Sequence, residues 1–480
     1  MYLARRVLVY AVVTSFFLLN ILLFGVPRSV FQSGKGNVEN EQEIPDFSRY
    51  ESLYTVPEGE FPLDDPTKRV IIVGDIHGMI EPLQHVFPSF LHPASPNGLC
   101  SILLDQLSYD SRSDVLVHTG DVVSRGPHKG SMAALAFMVA NNVTGVRGNH
   151  EQKVVEWRGW IDWIHTLPQG KRWLERTERQ WHESNLDPSR AKFWVEMQKR
   201  KASEEDQRWW KLVPRKWIMF GDHYKIAREM DSEHFNYLLD LPLKLYVPNA
   251  HLFVVHAGLL PSDPRYPYYD ASRQPLARKP TRLGGIDVVD GDEEEVNDAV
   301  KDLRKVQEMA LITEIPQNLD PWTSLNMRSV KGGKVVKSNK GDPWSNLWER
   351  EMGHCVGFNN EYSNASSRKE HPLPCYPLSV VYGHSAARGL DVKRWTVGLD
   401  SGCIYGRKLS ALVIGGRRKK KLRRLDELGE EEEGEDLDVG LIADTKGKDV
   451  DDAKKSNEIV IPFGDNGTAR IFSVKCQKPR

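Results

Sequence analysis

Seven side chains able to bind a metal or move a proton stand at the ends of short apolar runs. They are Asp75 and His77 after "RVIIVG", Asp121 after "DVLVHTG", Asn149 and His150 after "VTGVRG", His256 after "HLFVV" and His384 after "LSVVYG". Carboxylates, imidazoles and an amide oxygen without a thiolate suit Mn, Zn, Fe or Co. Two such cations about 3.5–4 Å apart need a bridging carboxylate and can share and activate a hydroxide nucleophile. Arg125 and Arg147 bring guanidiniums to the same stretches, and Arg matches phosphate oxygens through paired hydrogen bonds. Any one of these residues has an ordinary explanation as a satisfied loop side chain. Five runs ending alike, one after another, do not.

For these residues to meet, the runs must be strands whose C-terminal ends share an edge, where ligands of layered α/β folds bind. Continuous apolar stretches of this kind fit strands buried on both faces. "RWTVGLDSG" and "LSALVIGG" extend the series. Two long stretches interrupt it. Glu151 to Leu245 reads as a helical insertion and holds nine of the thirteen tryptophans, which points to a cap packed on its own aromatic core. Asp263 to Trp348 is richer in Pro and Gly and reads as loops across the same face. Near the C-terminus "RRKKKLRR" runs into "LDELGEEEEGED"; blocks of like charge are solvated, so residues 416–466 read as a flexible charged insertion before a last strand, "ARIFSVKC".

The chain has 480 residues, 40% hydrophobic and 27% charged, which is ordinary for a globular protein of this size. A formal net charge of −1 gives no case for a nucleic-acid partner, and none is expected. Five scattered cysteines lack zinc-ribbon spacing; Cys355 and Cys375 are a candidate disulfide that spacing alone leaves open.

Val7 to Val26 carries no charge and is long enough, at about 1.5 Å per residue, to cross a bilayer core of about 30 Å. Arg5 and Arg6 precede it, which keeps the tip cytosolic, and "GVPRSVF" offers no good cleavage site. The expectation is a type II protein: tip and signal anchor over 1–27, a polar luminal stem over 28–66, and a catalytic body over 67–480. A cleaved signal peptide is the alternative. The sequons at Asn142, Asn364 and Asn466 agree with a lumen.

D-x-H, G-D-x-V, G-N-H-E, H-A-G and G-H, in this order, resemble the calcineurin-like metallophosphoesterase superfamily over about Arg69 to Gly416. The resemblance implies a β-sandwich flanked by helices and two divalent metals. Asp75, His77 and Asp121 would hold one; Asp121, Asn149, His256 and His384 the other. His150 would be the general acid that protonates the leaving oxygen. "GHSA" has Ala386 where many members carry a second His, and "GDVVSRGP" has Ser124 where Ser/Thr phosphatases carry an Asp that orients the catalytic His. The first resembles both the Ser/Thr phosphatases and the diadenosine tetraphosphatases, and the second resembles the diadenosine tetraphosphatase-like branch. "LNMRSV" places Arg328 where relatives carry a further phosphate-binding Arg. Within that branch a membrane-anchored luminal form is similar to the fungal vacuolar endopolyphosphatases. That similarity implies Zn foremost, with Co, Mn, Fe or Mg as alternatives, and inorganic polyphosphate or a related phosphoanhydride as substrate. Dinucleoside polyphosphates and phosphoproteins remain alternative substrates, and a catalytically dead tethered binding protein is the reading of a different class.

Overall fold

The computed structural model describes residues 43–63, 65, 67–83, 103–280, 293–358, 371–416 and 458–479. Two six-stranded sheets dominate it. One holds, in spatial order, β1 (Tyr54–Thr55), β5 (Lys244–Val247), β6 (Leu252–Val255), β10 (Ser379–Tyr382), β12 (Thr396–Gly398) and β11 (Asp391–Val392). The other holds β14 (Glu458–Phe463), β15 (Gly467–Lys475), β13 (Lys408–Gly415), β2 (Arg69–Val73), β3 (Asp114–His118) and β4 (Thr144–Gly145). A small sheet joins β7 (Ser329–Lys331), β8 (Lys334–Val336) and β9 (Asp342–Pro343).

The strands read as unbroken apolar runs because both of their faces are covered. Along β2, Val70 and Ile72 enter a cluster shared with Leu245, Val254 and Val381 of the opposite sheet. The alternate residues Ile71 and Val73 pack instead with Leu135, Val154 and Trp160 from the helical side. On the opposite sheet Phe253, Val255 and Val380 face away from the sandwich, against Leu311 and Trp348. A period of two thus sends every second side chain into a different core. Each such residue contributes about 1.5–3 kcal/mol on full burial. This is a mixed α/β sandwich with helices outside it.

Helices run from Asn149–Thr166 through Ser232–Asp240 in the stretch read as a helical insertion. They pack on their own aromatics: Trp157, Trp160, Trp173, Trp194, Trp209 and Trp210 are all buried.

Three expectations need correction. Residues 46–63 are not a free stem: Tyr54 pairs with Leu245 in the sheet, Glu51 accepts from the Leu243 amide at 2.8 Å, and Val56 and Phe61 are buried. Their polarity hid a short edge strand. The Asp263 to Trp348 stretch contains a 22-residue helix, Glu293–Glu314, rather than loops alone. The charged insertion is shorter than expected, because Glu458–Phe463 forms a hairpin with β15. The expected anchor, Asn364 and the basic and acidic runs lie outside the described residues, among which no helix is long and apolar enough to cross a membrane.

Candidate metal centre

β2, β3 and β4 run parallel in one sheet; β6, β10 and β12 run parallel in the other. Asp75 and His77 follow β2, Asp121 follows β3, and Asn149 and His150 follow β4 at the start of the first insertion helix. His256 follows β6, His384 follows β10 and Asp400 follows β12. Both sheets therefore deliver their chemistry at C-terminal ends. His77, Asp121 and His384 all have left-handed φ (51°, 51° and 65°), an uncommon conformation for non-glycine residues. It turns each side chain back toward the common edge. The approach is close enough that glycine is needed beside it: a Cβ on Gly383 would lie 2.0 Å from Asp75 Oδ1, and one on Gly148 would lie 2.3 Å from Asp121 Oδ1.

Ligand atoms of His77, Asp121 and His150 lie within 4.8 Å of one another, as do those of Asp121, His256 and His384. Asp121 belongs to both groups. Asn149 joins the second, with Oδ1 at 3.2 Å from His256 Nε2. The histidine tautomers test whether this set fits cations. His256 Nδ1 faces the Thr119 carbonyl at 2.8 Å and must donate to it, so Nε2 presents a lone pair. That lone pair faces two acceptors, Asn149 Oδ1 at 3.2 Å and Asp121 Oδ2 at 3.4 Å, while His384 Nδ1, at 3.1 Å, can carry a proton toward it. Acceptors pointing at acceptors require a cation or an extra proton between them. His77 Nδ1 and His384 Nε2 are buried with no hydrogen-bond partner among the described residues. The donor set fits divalent metals.

Without a metal the charges favour the extra proton on His256: burial lowers its imidazole, but the Asp121 carboxylate, by charge and by hydrogen bond, outweighs that and raises it above the ordinary value. Burial raises the Asp75 carboxyl well above its ordinary value, and the Asp400 and Asp121 carboxylates beside it add to that. Burial also pushes Asp121 upward, but the His256, His150 and His77 imidazoles outweigh it and hold this carboxyl well below the usual range. Burial lowers His150 and His384 well below the ordinary imidazole value.

Glu151, the last residue of the GNHE stretch, has a role that its sequence position did not reveal. Its carboxylate accepts from the amides of Asp121 (2.8 Å), Val123 (3.1 Å) and Gly148 (2.9 Å), tying the loop after β3 to the loop after β4.

A cavity of about 560 Å³ opens over the centre, lined by Arg125, Arg328, Lys337 and Arg407 as well as Tyr405 and Asp400. Of the three arginines expected to bind phosphate, Arg125 and Arg328 reach it. Arg147 does not. Its side chain is fully buried and donates to the Arg49 and Leu239 carbonyls and to Gln152 Oε1, which makes it a tie between the first insertion helix and its surroundings. Lys337, Tyr405 and Arg407 carried no motif that would have singled them out. Asp400 followed an apolar run like the others, and that signal was passed over. Disulfides join Cys355 to Cys375 and Cys403 to Cys476, the second clamping the turn that bears Tyr405 to the end of β15.

Residues 68–258 match the family model for calcineurin-like phosphoesterases. The zinc-dependent endopolyphosphatase of Saccharomyces cerevisiae is 20% identical over 381 residues, 78% of this chain and 84% of that protein. A symmetrical bis(5'-nucleosyl)-tetraphosphatase of Buchnera aphidicola is 32% identical over 17% of this chain and 24% of its own length. Serine/threonine-protein phosphatase 1 of Salmonella typhimurium is 31% identical over 23% of this chain and 42% of its own. This chain thus spans less than half of the last two relatives. The matched segment contains His77, Asp121, His150 and His256 of the two ligand groups, together with Asn149, which contacts His256, and Asp75, whose carboxylate accepts from the His384 amide. The chain carries a calcineurin-like phosphoesterase domain over residues 68–258.

Proposed function

We propose that the protein hydrolyses phosphoanhydride bonds, with inorganic polyphosphate, cut internally, as its substrate. The observation that carries this reading is the cavity, where Arg125, Arg328, Lys337 and Arg407 surround a single cluster of acidic and imidazole donors. Four cationic side chains suit a substrate with phosphates on both sides of the bond to be broken. The relative matched along 84% of its length is an endopolyphosphatase, in line with that.

Asp75, His77 and Asp121 would hold one divalent cation, and Asp121, Asn149, His256 and His384 a second; Zn leads because the same relative is zinc-dependent. Bound there, the cations would supply Lewis-acid polarisation of a phosphoryl oxygen and activation of the attacking water. The chain's own residues do the rest. Arg125 and Arg328 hold the flanking phosphate oxygens. Glu151 keeps the two ligand loops in register. His150 gives a proton to the leaving oxygen, and an incoming phosphate anion favours the protonated ring against the burial that otherwise keeps it neutral.

The body is assigned to the lumen of an endomembrane compartment, a vacuole foremost, with Val7 to Val26 as its anchor. Supporting this are the two disulfides, which persist in oxidising compartments, and the exposed sequons Asn142 and Asn466.

A dinucleoside tetraphosphate is the second reading. Tyr405, 52% exposed at the cavity, offers a face on which a base could stack. The full chain is to be assayed on long-chain polyphosphate, diadenosine tetraphosphate and a phosphopeptide, each with Zn, Co, Mn and Mg. Highest kcat/KM on polyphosphate, with shortened chains rather than free phosphate as first products, is the expected result. Preference for the phosphopeptide would overturn both readings.

A further inference from the structure

His150 is held by residues from an unexpected direction. Ser124 Oγ lies 3.1 Å from His150 Nδ1 and 2.6 Å from Asp222 Oδ2. His223 Nε2 lies 2.8 Å from the same Nδ1, with its ring stacked on that of His150 at 4.9 Å between centroids. Asp222 and His223 open the helix Asp222–Glu229, about seventy residues further along the chain, inside the helical insertion. Tyr224 of that helix packs edge-on against Trp157 at 5.0 Å, on the helix Asn149–Thr166 that carries His150.

We propose that Asp222 and His223 are positioning residues, which hold the His150 ring in the orientation that delivers its proton, Asp222 acting through the Ser124 hydroxyl. The inference rests on the reading of His150 as proton donor.

The hydrogen-bond inventory fixes the direction of the chain of contacts. An ionised carboxylate only accepts, so the single Ser124 proton goes to Asp222. The hydroxyl is then left with lone pairs toward His150 Nδ1 and toward His223 Nε2, 3.2 Å away, and in the tautomer that leaves Nε2 for proton transfer the His150 Nδ1–H donates to it. A ring whose Nδ1–H is engaged keeps Nε2 as the nitrogen that exchanges a proton with substrate, and it cannot rotate without breaking the bond. His223 restrains the other side of the same atom.

A second observation is independent of His150. Ser124 and Arg125 both have left-handed φ, 73° and 68°, consecutive and without a glycine. Such residues cost on the order of 1 kcal/mol each or more and persist only where the surroundings hold them. Asp222 Oδ2 is the holder: besides the Ser124 hydroxyl it accepts from the Arg125 amide at 2.6 Å. One carboxylate thus sets the turn, the proton donor's orientation and the start of the arginine that lines the cavity. The insertion does more than cover the fold.

The test uses the full chain and two esters that differ in leaving-group basicity, phenyl phosphate and p-nitrophenyl phosphate, with metal content measured on every variant. Ser124→Ala and Asp222→Ala should lose about 10- to 100-fold in kcat on phenyl phosphate, the range a displaced catalytic group produces, and clearly less on the nitrophenyl ester, with metal retained. Adding Ser124→Asp to Asp222→Ala should recover most of the loss, because an acid at position 124 can accept from Nδ1 directly. If Asp222→Ala does not fold, Ser124→Ala decides alone, since it leaves the helix terminus intact. Equal losses on both esters, or no loss, in folded and metal-loaded variants would overturn the proposal. His150→Asn is run beside them. Should it show no dependence on the leaving group, the reading of His150 itself falls; should it show one that Ser124→Ala and Asp222→Ala lack, only the present inference falls.

Discussion

His256 lies against Asp121 with Nε2 at 3.4 Å from Oδ2, while its Nδ1–H is engaged by the Thr119 carbonyl. The ring can therefore neither turn away nor offer a proton from Nε2 in its neutral form. Its Nε2 is set toward the one carboxylate that belongs to both ligand groups, so that a shared cation, or a proton on the ring, must stand between them. Asp121→Asn should accordingly be among the most damaging single changes. It keeps the shape but removes the charge that both groups share. Bound metal measured by mass spectrometry should fall for both sites, and kcat should drop at least about 100-fold. Chelation of the unaltered protein should abolish hydrolysis and lower Tm, since a ligand that binds only the folded state stabilises it. Full activity after exhaustive chelation would remove the metal reading.

For His150→Asn, the loss should depend on the substrate. General acid catalysis contributes about 10²–10⁴-fold, and less where the leaving oxygen is already a weak base. Turnover on polyphosphate should fall strongly, and turnover on an activated nitrophenyl ester should fall less. Asn149→Ala, which removes a ligand rather than a proton, should depress both alike and reduce metal retention. Steady-state kinetics on the two substrates with each variant separates the roles.

The arginines should divide by place. Arg328→Ala, at the cavity, should raise KM for polyphosphate about tenfold or more, in line with the loss of a charge-assisted phosphate contact, and should lower Tm less than the change at Arg147, since its guanidinium also donates to the Lys337 and His384 carbonyls. Arg147→Met should do the opposite. It removes a buried guanidinium and leaves the part-buried Arg49 and Leu239 carbonyls without their donors, at a cost of up to about 1–3 kcal/mol each, and so should lower Tm while leaving KM alone. Chemical denaturation and KM measured on both variants check this pair of expectations.

Glu351 carries a pH signature remote from the metal centre. It is buried, accepts from Ser262 Oγ through Oε1 at 2.9 Å, and its Oε2 has no partner among the described residues. Burial raises its carboxyl from 4.5 to about 7. Because the folded value is raised, the stability it contributes is present below the unfolded value of 4.5 and is lost as pH climbs through about 7. Glu351→Gln removes the ionisation. It should therefore stabilise the protein at about pH 8 by on the order of 1–3 kcal/mol, and far less at about pH 5. Denaturation curves at the two pH values give the answer; a gain independent of pH would show that Glu351 is not protonated in the fold.

Much of the centre was legible from residue order alone. Asp75, His77, Asp121, Asn149, His256 and His384 each stand a few residues beyond an apolar strand, and a strand's end dictates where such a residue emerges. That information is local, so it survives in a linear reading. The sandwich was legible for the same reason, since residues buried on both faces leave unbroken apolar runs. Direction was not local. Arg147 and Arg125 look alike in sequence, yet one is buried among carbonyls and the other lines the cavity, because the choice depends on what packs against each turn. The same holds for Asp222 and His223, which reach His150 only because the insertion's tryptophan core folds their helix back onto the one that carries it. Lys337, Tyr405 and Arg407 join the site through a hairpin and a disulfide-clamped turn. Strand ends are set by neighbours a few bonds away, whereas the contacts of Asp222 and His223 with Ser124 and His150 close loops of 98 and 73 residues, and only the packed tertiary structure specifies which loops close.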